Sequence, residues 1–138
     1  MSPRAIARAR QRADEAGVQV NFLEADLTAL PDLGGPFDFL FDRGCYHAVR
    51  RIDVEPYLEV VRNSLKPGAA GLILAGKPMA AGKHGPPVVT EDELRAELGR
   101  IFEIVRLREF GFDEPPGSNE RWLGWSCWVR RPRAPHPG

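Results

Sequence analysis

The apolar run Phe37-Asp-Phe-Leu-Phe41 ends in the polar cluster Asp42-Arg-Gly-Cys-Tyr-His47, and Leu65-Lys-Pro-Gly68 then leads into a second apolar run, Gly71-Leu-Ile-Leu-Ala75. Between them, Tyr57, Val60, Val61 and Leu65 recur at helical spacing over residues 56–65, and Pro67-Gly68 is expected to end that helix. Strand, helix, strand is one crossover unit, and it places chemistry-bearing side chains at the exit of its first strand. The bulky residues 37–41 predict a strand covered on both faces.

The remaining elements fit around this unit. Ser2-Pro3 predicts a helix start, with alanines and arginines running to Ala16 and Gly17 as the stop. Ala5, Ile6, Ala9, Ala13 and Ala16 form a narrow small-residue stripe, which predicts close packing on a sheet. Residues 18–23 read as a strand that closes on Glu24-Ala-Asp26, and residues 30–36 as a loop. Gly76 to Pro87 is a loop by its glycine and proline content, the segment expected to move most. Thr90-Glu-Asp-Glu93 is a capping box opening a helix through Leu98. Residues 102–110 and 122–129 read as two long strands, with Leu123, Trp125, Cys127 and Val129 on one face. Residues 130–138 hold three prolines and no core residue, so a frayed end is expected there. The order predicts an α/β sheet, mostly parallel, with an antiparallel hairpin at one edge.

Composition narrows the function classes. Lysine plus arginine and aspartate plus glutamate number 19 each, so overall charge favours neither nucleic acid nor an anionic membrane as partner. No apolar run approaches the roughly 18 residues that span a bilayer. The two cysteines, Cys45 and Cys127, make neither a CxxC pair nor a disulfide framework, and a reducing cytoplasm fits that usage. Cys45 and His47 are too few for a metal site, so no metal is expected.

In open α/β sheets, ligands bind at the carboxyl ends of the strands. Three polar clusters fall at such ends: Asp26-Leu27-Thr28, Asp42 through His47, and Gly76-Lys77. Their convergence marks the expected site. Glu24-Ala-Asp26-Leu27, Phe37-Asp38-Phe-Leu-Phe-Asp42 and Leu65-Lys-Pro-Gly68 resemble the third strand, fourth strand and fifth-strand approach of class I S-adenosylmethionine-dependent methyltransferases, a Rossmann-like fold. The likeness covers the chain to about Arg131, which implies a partial methyltransferase domain over residues 1–131 and a disordered tail over 132–138.

The resemblance implies roles by position. Asp26 would accept from the adenine amino group of S-adenosyl-L-methionine, while the Leu27 amide meets a ring nitrogen. Asp42 would lie near the donor's amino acid portion, and Arg43 beside it. Cys45, Tyr46 and His47 would line the boundary with a small-molecule methyl acceptor. His47 or Asp42 would remove a proton from that acceptor. The pattern Asp-Arg-Gly-Cys-Tyr-His is similar to bacterial relatives of thiopurine and small-thiol methyltransferases, which points to a thiol acceptor; a thiol of depressed pKa needs no base.

Plainer readings stand beside these. Asp26 can simply cap the turn after its strand, His47 can be a loop histidine with a satisfied ring, and Cys45 a small buried residue. Trp122, Trp125 and Trp128 are expected as packing, and Lys77 and Lys83 as solvated charges.

One family feature is missing: the chain has no GxGxG-like segment, whose glycines let the backbone approach the cofactor. The resemblance implies that the first two strands are lacking and that the chain is truncated before Met1, weak or inactive alone. It also implies unpaired strand edges. The competing class of function is accordingly a non-catalytic remnant or interaction module, pairing through an exposed sheet edge, with a homo-oligomer as one outcome.

Overall fold

A computed structural model describes residues 2–78, 88–113, 117 and 122–133. Helix α1 (Pro3–Glu15) begins after Ser2, whose carbonyl accepts from the Ala5 and Ile6 amides while its hydroxyl makes no cap. Its end follows the glycine rule: Gly17 takes φ +67°, the Gly17 amide donates to Asp14 and the Val18 amide to Ala13. That crossed pair closes the helix in a Schellman turn. Residues 18–23 then form no strand, contrary to expectation. A strand exists only where a neighbour takes up its amides and carbonyls, and no described strand lies beside this segment. It follows α1 instead: Ala5, Ala9 and Ala13 share a surface groove with Val18, Val20 and Phe22.

A 3-10 turn at Leu27–Ala29 precedes β1 (Phe37–Arg43), and α2 (Cys45–Val49) and α3 (Glu55–Ser64) follow it. Then come β2 (Leu65–Gly76), α4 (Glu91–Leu98), β3 (Glu103–Gly111) and β4 (Leu123–Arg130). The described sheet has the order β1-β2-β4-β3. β1 pairs with β2 in parallel, and β2–β4 and β4–β3 are antiparallel. The α/β class and the C-terminal hairpin are as expected. Three of the four described strands, β1, β2 and β3, run in the same direction as expected, and β4 is inserted against them.

Lys66-Pro67-Gly68 does not separate helix from strand as expected. β2 starts at Leu65, directly after α3, and the register steps from Phe37–Leu65 to Phe39–Ala70. The extra residues bulge at Gly68, whose φ is +82°. At the other end of the chain the ladder outlasts β4. The Arg131 amide donates to Ala69 and its carbonyl accepts from Gly68, so the order expected to fray from residue 130 continues further. Residues 134–138 of the expected tail lie outside the described residues, as do Lys83 and residues 79–87 of the loop.

The core lies on one face of this sheet. Ile73, Ala75, Trp125, Cys127 and Val129 point into it and meet Tyr57, Leu58 and Val61 of α3 and Leu94 and Leu98 of α4. The Thr90 capping box is present in full: its hydroxyl accepts from the Glu93 amide, and the Glu93 carboxylate accepts from the Thr90 amide. On the opposite face, the described residues do not supply the expected cover over residues 37–41. Phe37, Phe39 and Phe41 are 45, 48 and 59% exposed, and Phe39 forms a tilted aromatic pair with Trp128, ring centroids 6.1 Å apart. β1 is also terminal in the described sheet, so its outer edge carries unpaired backbone groups.

Ile73 is fully buried on the central strand. We expect Ile73→Ala to cost about 2–5 kcal/mol of unfolding free energy, the range for a large cavity-forming truncation, measured by urea denaturation.

Candidate functional site

The exit of β1 is built around one carboxylate. Asp42 is 4% exposed. Its Oδ1 accepts from the Cys45 amide at 2.8 Å, and its Oδ2 from the Tyr46 amide at 3.0 Å and the Tyr57 hydroxyl at 2.6 Å. The strand can turn this sharply because Gly44 takes φ +94°, and a Cβ there would stand 3.0 Å from His47 Nε2. Asp42 thus caps α2 and anchors α3 to β1. With three donors on two oxygens and almost no exposure, it is a structural acceptor, not a base open to a substrate.

His47 bridges the two strand tips. Its Nδ1 accepts from the Gly76 amide at 2.7 Å, beyond the point where β1 ends. The acceptor nitrogen must be unprotonated, so the neutral ring carries its proton on Nε2. Burial lowers the ring's pKa below the ordinary value, and the Asp42 carboxylate opposes that only in part. Neither nitrogen of this tautomer offers a free lone pair for proton abstraction, so the expected general-base part for His47 does not fit this geometry. The satisfied-ring alternative does.

Tyr46 does not line a substrate boundary either. It is fully buried, its ring centroid 5.5 Å from that of Tyr57, and its hydroxyl donates to Glu97 at 2.6 Å. Burial and then the Glu97 carboxylate raise its pKa, and burial and then Asp42 do the same for Tyr57, so both donate as phenols. Cys45 is exposed, where a small buried residue was the plainer expectation. Its thiol is nevertheless pushed up to about 11, first by the protein packed around it and second by Asp42. It is therefore no thiolate nucleophile at neutral pH. Arg43 ends β1 exposed, in register with Leu74.

Asp26 makes its hydrogen bonds within its own turn, as the plainer reading had it. Oδ1 accepts from the Thr28 amide at 2.9 Å and the Thr28 hydroxyl at 2.7 Å, and these bonds, the hydroxyl's first, lower its pKa. Leu27 packs against the core, and the turn rests on α3. No described hydrogen bond joins Asp26 to the Asp42–His47 cluster. A groove of about 200 Å³ between residues 30–34 and α3 shares no residue with that cluster.

Two participants escaped the sequence reading. Arg50 grips Glu97 through Nε at 2.8 Å and Nη2 at 2.8 Å, and it reaches Glu93 at 3.4 Å. Burial works to raise the Glu97 pKa, but the hydrogen bonds from Arg50 and Tyr46 prevail and hold it low. These residues lock α2 to α4. Forty-seven positions separate Arg50 from Glu97, and no local spacing signals such a pair. Gly76, by contrast, was legible as a strand end. Its carbonyl accepts from Val89 at 2.8 Å, and the Val89 carbonyl accepts from the Trp125 indole at 2.9 Å. Lys77 pairs with Glu109 and lies 5.0 Å from the Trp125 ring centroid, so it is not merely solvated.

Comparison with known proteins agrees with this architecture. Residues 1–68 match the family model described as a methyltransferase domain. Two uncharacterized methyltransferases of Schizosaccharomyces pombe are each 37% identical over 57 residues, 41% of this chain and 39% of theirs. The matched stretch thus spans about two fifths of those relatives. Among solved structures, an S-adenosylmethionine-dependent methyltransferase of Methanosarcina mazei superposes with TM-score 0.73 at 18% identity, over 96% of this chain and 80% of that one. The protein described for conversion of a disulfide bond into a thioacetal group during echinomycin biosynthesis gives 0.71 at 24% identity, over 95% and 64%. The 1,6-didemethyltoxoflavin N1-methyltransferase of Burkholderia thailandensis, which holds S-adenosylhomocysteine, gives 0.63 at 22%, over 89% and 56%. The fold is Rossmann-like, that of the solved methyltransferases on which the chain superposes.

Removing one donor from a buried carboxylate exposes its cost. We expect Tyr57→Phe to lower stability by about 1–3 kcal/mol, and Asp42→Ala to lower it further because the Tyr57 hydroxyl and two amides lose their partner. Thermal unfolding of the two variants beside the parent checks both.

Proposed function

We propose that this chain belongs to an enzyme that transfers a methyl group from S-adenosyl-L-methionine to a small-molecule acceptor. The observation that carries the reading is the built turn at the exit of β1. A buried Asp42 and a left-handed Gly44 hold it beside the β2 tip, on a sheet that superposes on methyltransferases along nearly the whole described chain. The neighbour with bound S-adenosylhomocysteine supports the choice of donor.

The chain's residues fit that donor in part. Asp26 Oδ2 takes no described hydrogen bond, so it is open to an exocyclic amino group such as that of adenine, with the Leu27 backbone next to it. Arg43 and Cys45 are the exposed side chains of the β1 exit, and in this reading they border the donor and the acceptor. Asp42, Tyr46 and His47 support that border from beneath. When bound, the donor supplies a sulfonium methyl already activated for displacement, so the protein's work is alignment and exclusion of water.

The absence of a free base among the described cluster residues favours an acceptor that ionises unaided. Together with the Asp-Arg-Gly-Cys-Tyr-His pattern, this supports a small thiol. The structural neighbours do not share one acceptor: one is described by sulfur chemistry and another is an N1-methyltransferase.

A second reading has its own observation. The outer edge of β1 is unpaired among the described strands, and three exposed phenylalanines stand on one face of the same strand. An interaction module that pairs through this edge, with a second copy or another protein, accounts for that surface without catalysis.

Calorimetric titration with S-adenosylhomocysteine separates the two readings. Methyl transfer predicts saturable binding that Asp26→Ala weakens by about tenfold, the loss of one good hydrogen bond to a charged group. Heats indistinguishable from dilution, with a dimer seen by sedimentation, support the second reading and overturn the first. With binding in hand, product mass after incubation with small thiols and amines tests the acceptor class. Methylation of amines alone ends the thiol assignment.

A further inference from the structure

We propose that His47 is a positioning residue of the methyl-donor site: its Nδ1 fixes the tip of β2 against α2, and protonation of the ring releases that tip. The functional half of this statement rests on the methyltransferase reading, whereas the joint itself does not.

The geometry supports the joint from both sides. β1 ends at Arg43, in register with Leu74, and the Gly44 amide donates to the Leu74 carbonyl at 3.2 Å. Past that point no described strand pairs with β2 on the β1 side; Gly76 makes an isolated parallel bridge with Val88, and its amide donates to His47 Nδ1 at 2.7 Å. The same residue's carbonyl accepts from the Val89 amide at 2.8 Å. Gly76 is thus held between α2 and Val89, whose carbonyl accepts from the Trp125 indole. A cationic imidazole carries a proton on both nitrogens, so it would face the Gly76 N–H with another N–H and the bond would fail.

The charges around the joint leave the ring as its titrating member. Asp42 from β1 is saturated by three donors, and Cys45 on the same helix is a neutral thiol at physiological pH. Lys77, next to Gly76, directs its ammonium to Glu109 of β3. On α4, Glu93 and Glu97 are taken up by Arg50. The ring's lowered pKa has burial as its main cause. The sign then follows. With the ring's folded pKa below the ordinary value of about 6.5, the native joint is intact at neutral pH and breaks as the pH falls through the folded pKa, while folding stability is lost from the unfolded value downward. The joint holds a strand tip beside the proposed donor, so donor affinity falls as the folded ring protonates.

The test follows the Gly76 amide by 15N NMR and S-adenosylhomocysteine affinity by calorimetry, both between about pH 7.5 and 5. We expect the Gly76 resonance to titrate with the His47 ring and affinity to fall by about three- to tenfold, the worth of one lost hydrogen bond. In His47→Asn, whose side-chain oxygen replaces Nδ1 as acceptor without titrating, the ratio of affinities at the two pH values should collapse to about one. His47→Ala should free the Gly76 amide at every pH. A merely structural histidine would lower stability without giving the Asn variant a flat pH profile. A Gly76 amide indifferent to ring protonation overturns the proposal, and so does an Asn variant that keeps the parental pH response. Absence of ligand binding at every pH removes the donor reading and the functional half of the proposal with it, and the amide titration then decides the joint alone.

Discussion

One buried carboxylate organises the region where strand becomes helix. Asp42 sits 4% exposed at the end of β1 and takes up two amides of α2 and the phenol of α3. Burying an ionised group without partners is expensive, so its three donors are a condition of the fold and not an ornament on it. The consequence spreads outward. Because α2 is tied to Asp42, Tyr46 is delivered to Glu97 and Arg50 to the same carboxylate, and α4 is drawn onto the sheet. A polar network thus lies inside an otherwise apolar core, and it fixes the angles that hydrophobic contact alone leaves loose.

Much of the architecture was legible because it is local. The Thr90 capping box, the glycine stop at Gly17, the crossover from β1 through α3 to β2, and the inward alternation of Trp125, Cys127 and Val129 each rest on short-range rules that the structure obeys. What failed was what depends on a neighbour. Residues 18–23 have the alternation of a strand, yet strand formation is a property of pairs. Phe37, Phe39 and Phe41 look like buried residues in isolation, but burial belongs to whatever covers them.

The candidate site divides in the same way. Its location, at the exit of β1 and the end of β2, followed from the crossover. The orientation of each side chain within it did not. Asp42, Tyr46 and His47 have the residue types of a catalytic cluster and use them for hydrogen bonds inside the protein. Asp26 stayed within its own turn. Cys45 alone came out more open than its residue type suggests. The one-sided sheet sets this beside the comparisons: residues 1–68 carry the family match, and the curated relatives are matched over about two fifths of their length.

Trp125 and Trp128, finally, are not equivalent in what they see. Trp125 is 6% exposed, bonded to the Val89 carbonyl and flanked by the Lys77 ammonium, while Trp128 stands 38% exposed on the far side of the same strand. A single fluorophore is therefore wired, through one carbonyl, to the residue that meets Gly76. With Trp122 and Trp128 replaced by phenylalanine, the indole of Trp125 would be left as a lone optical gauge of that corner of the molecule.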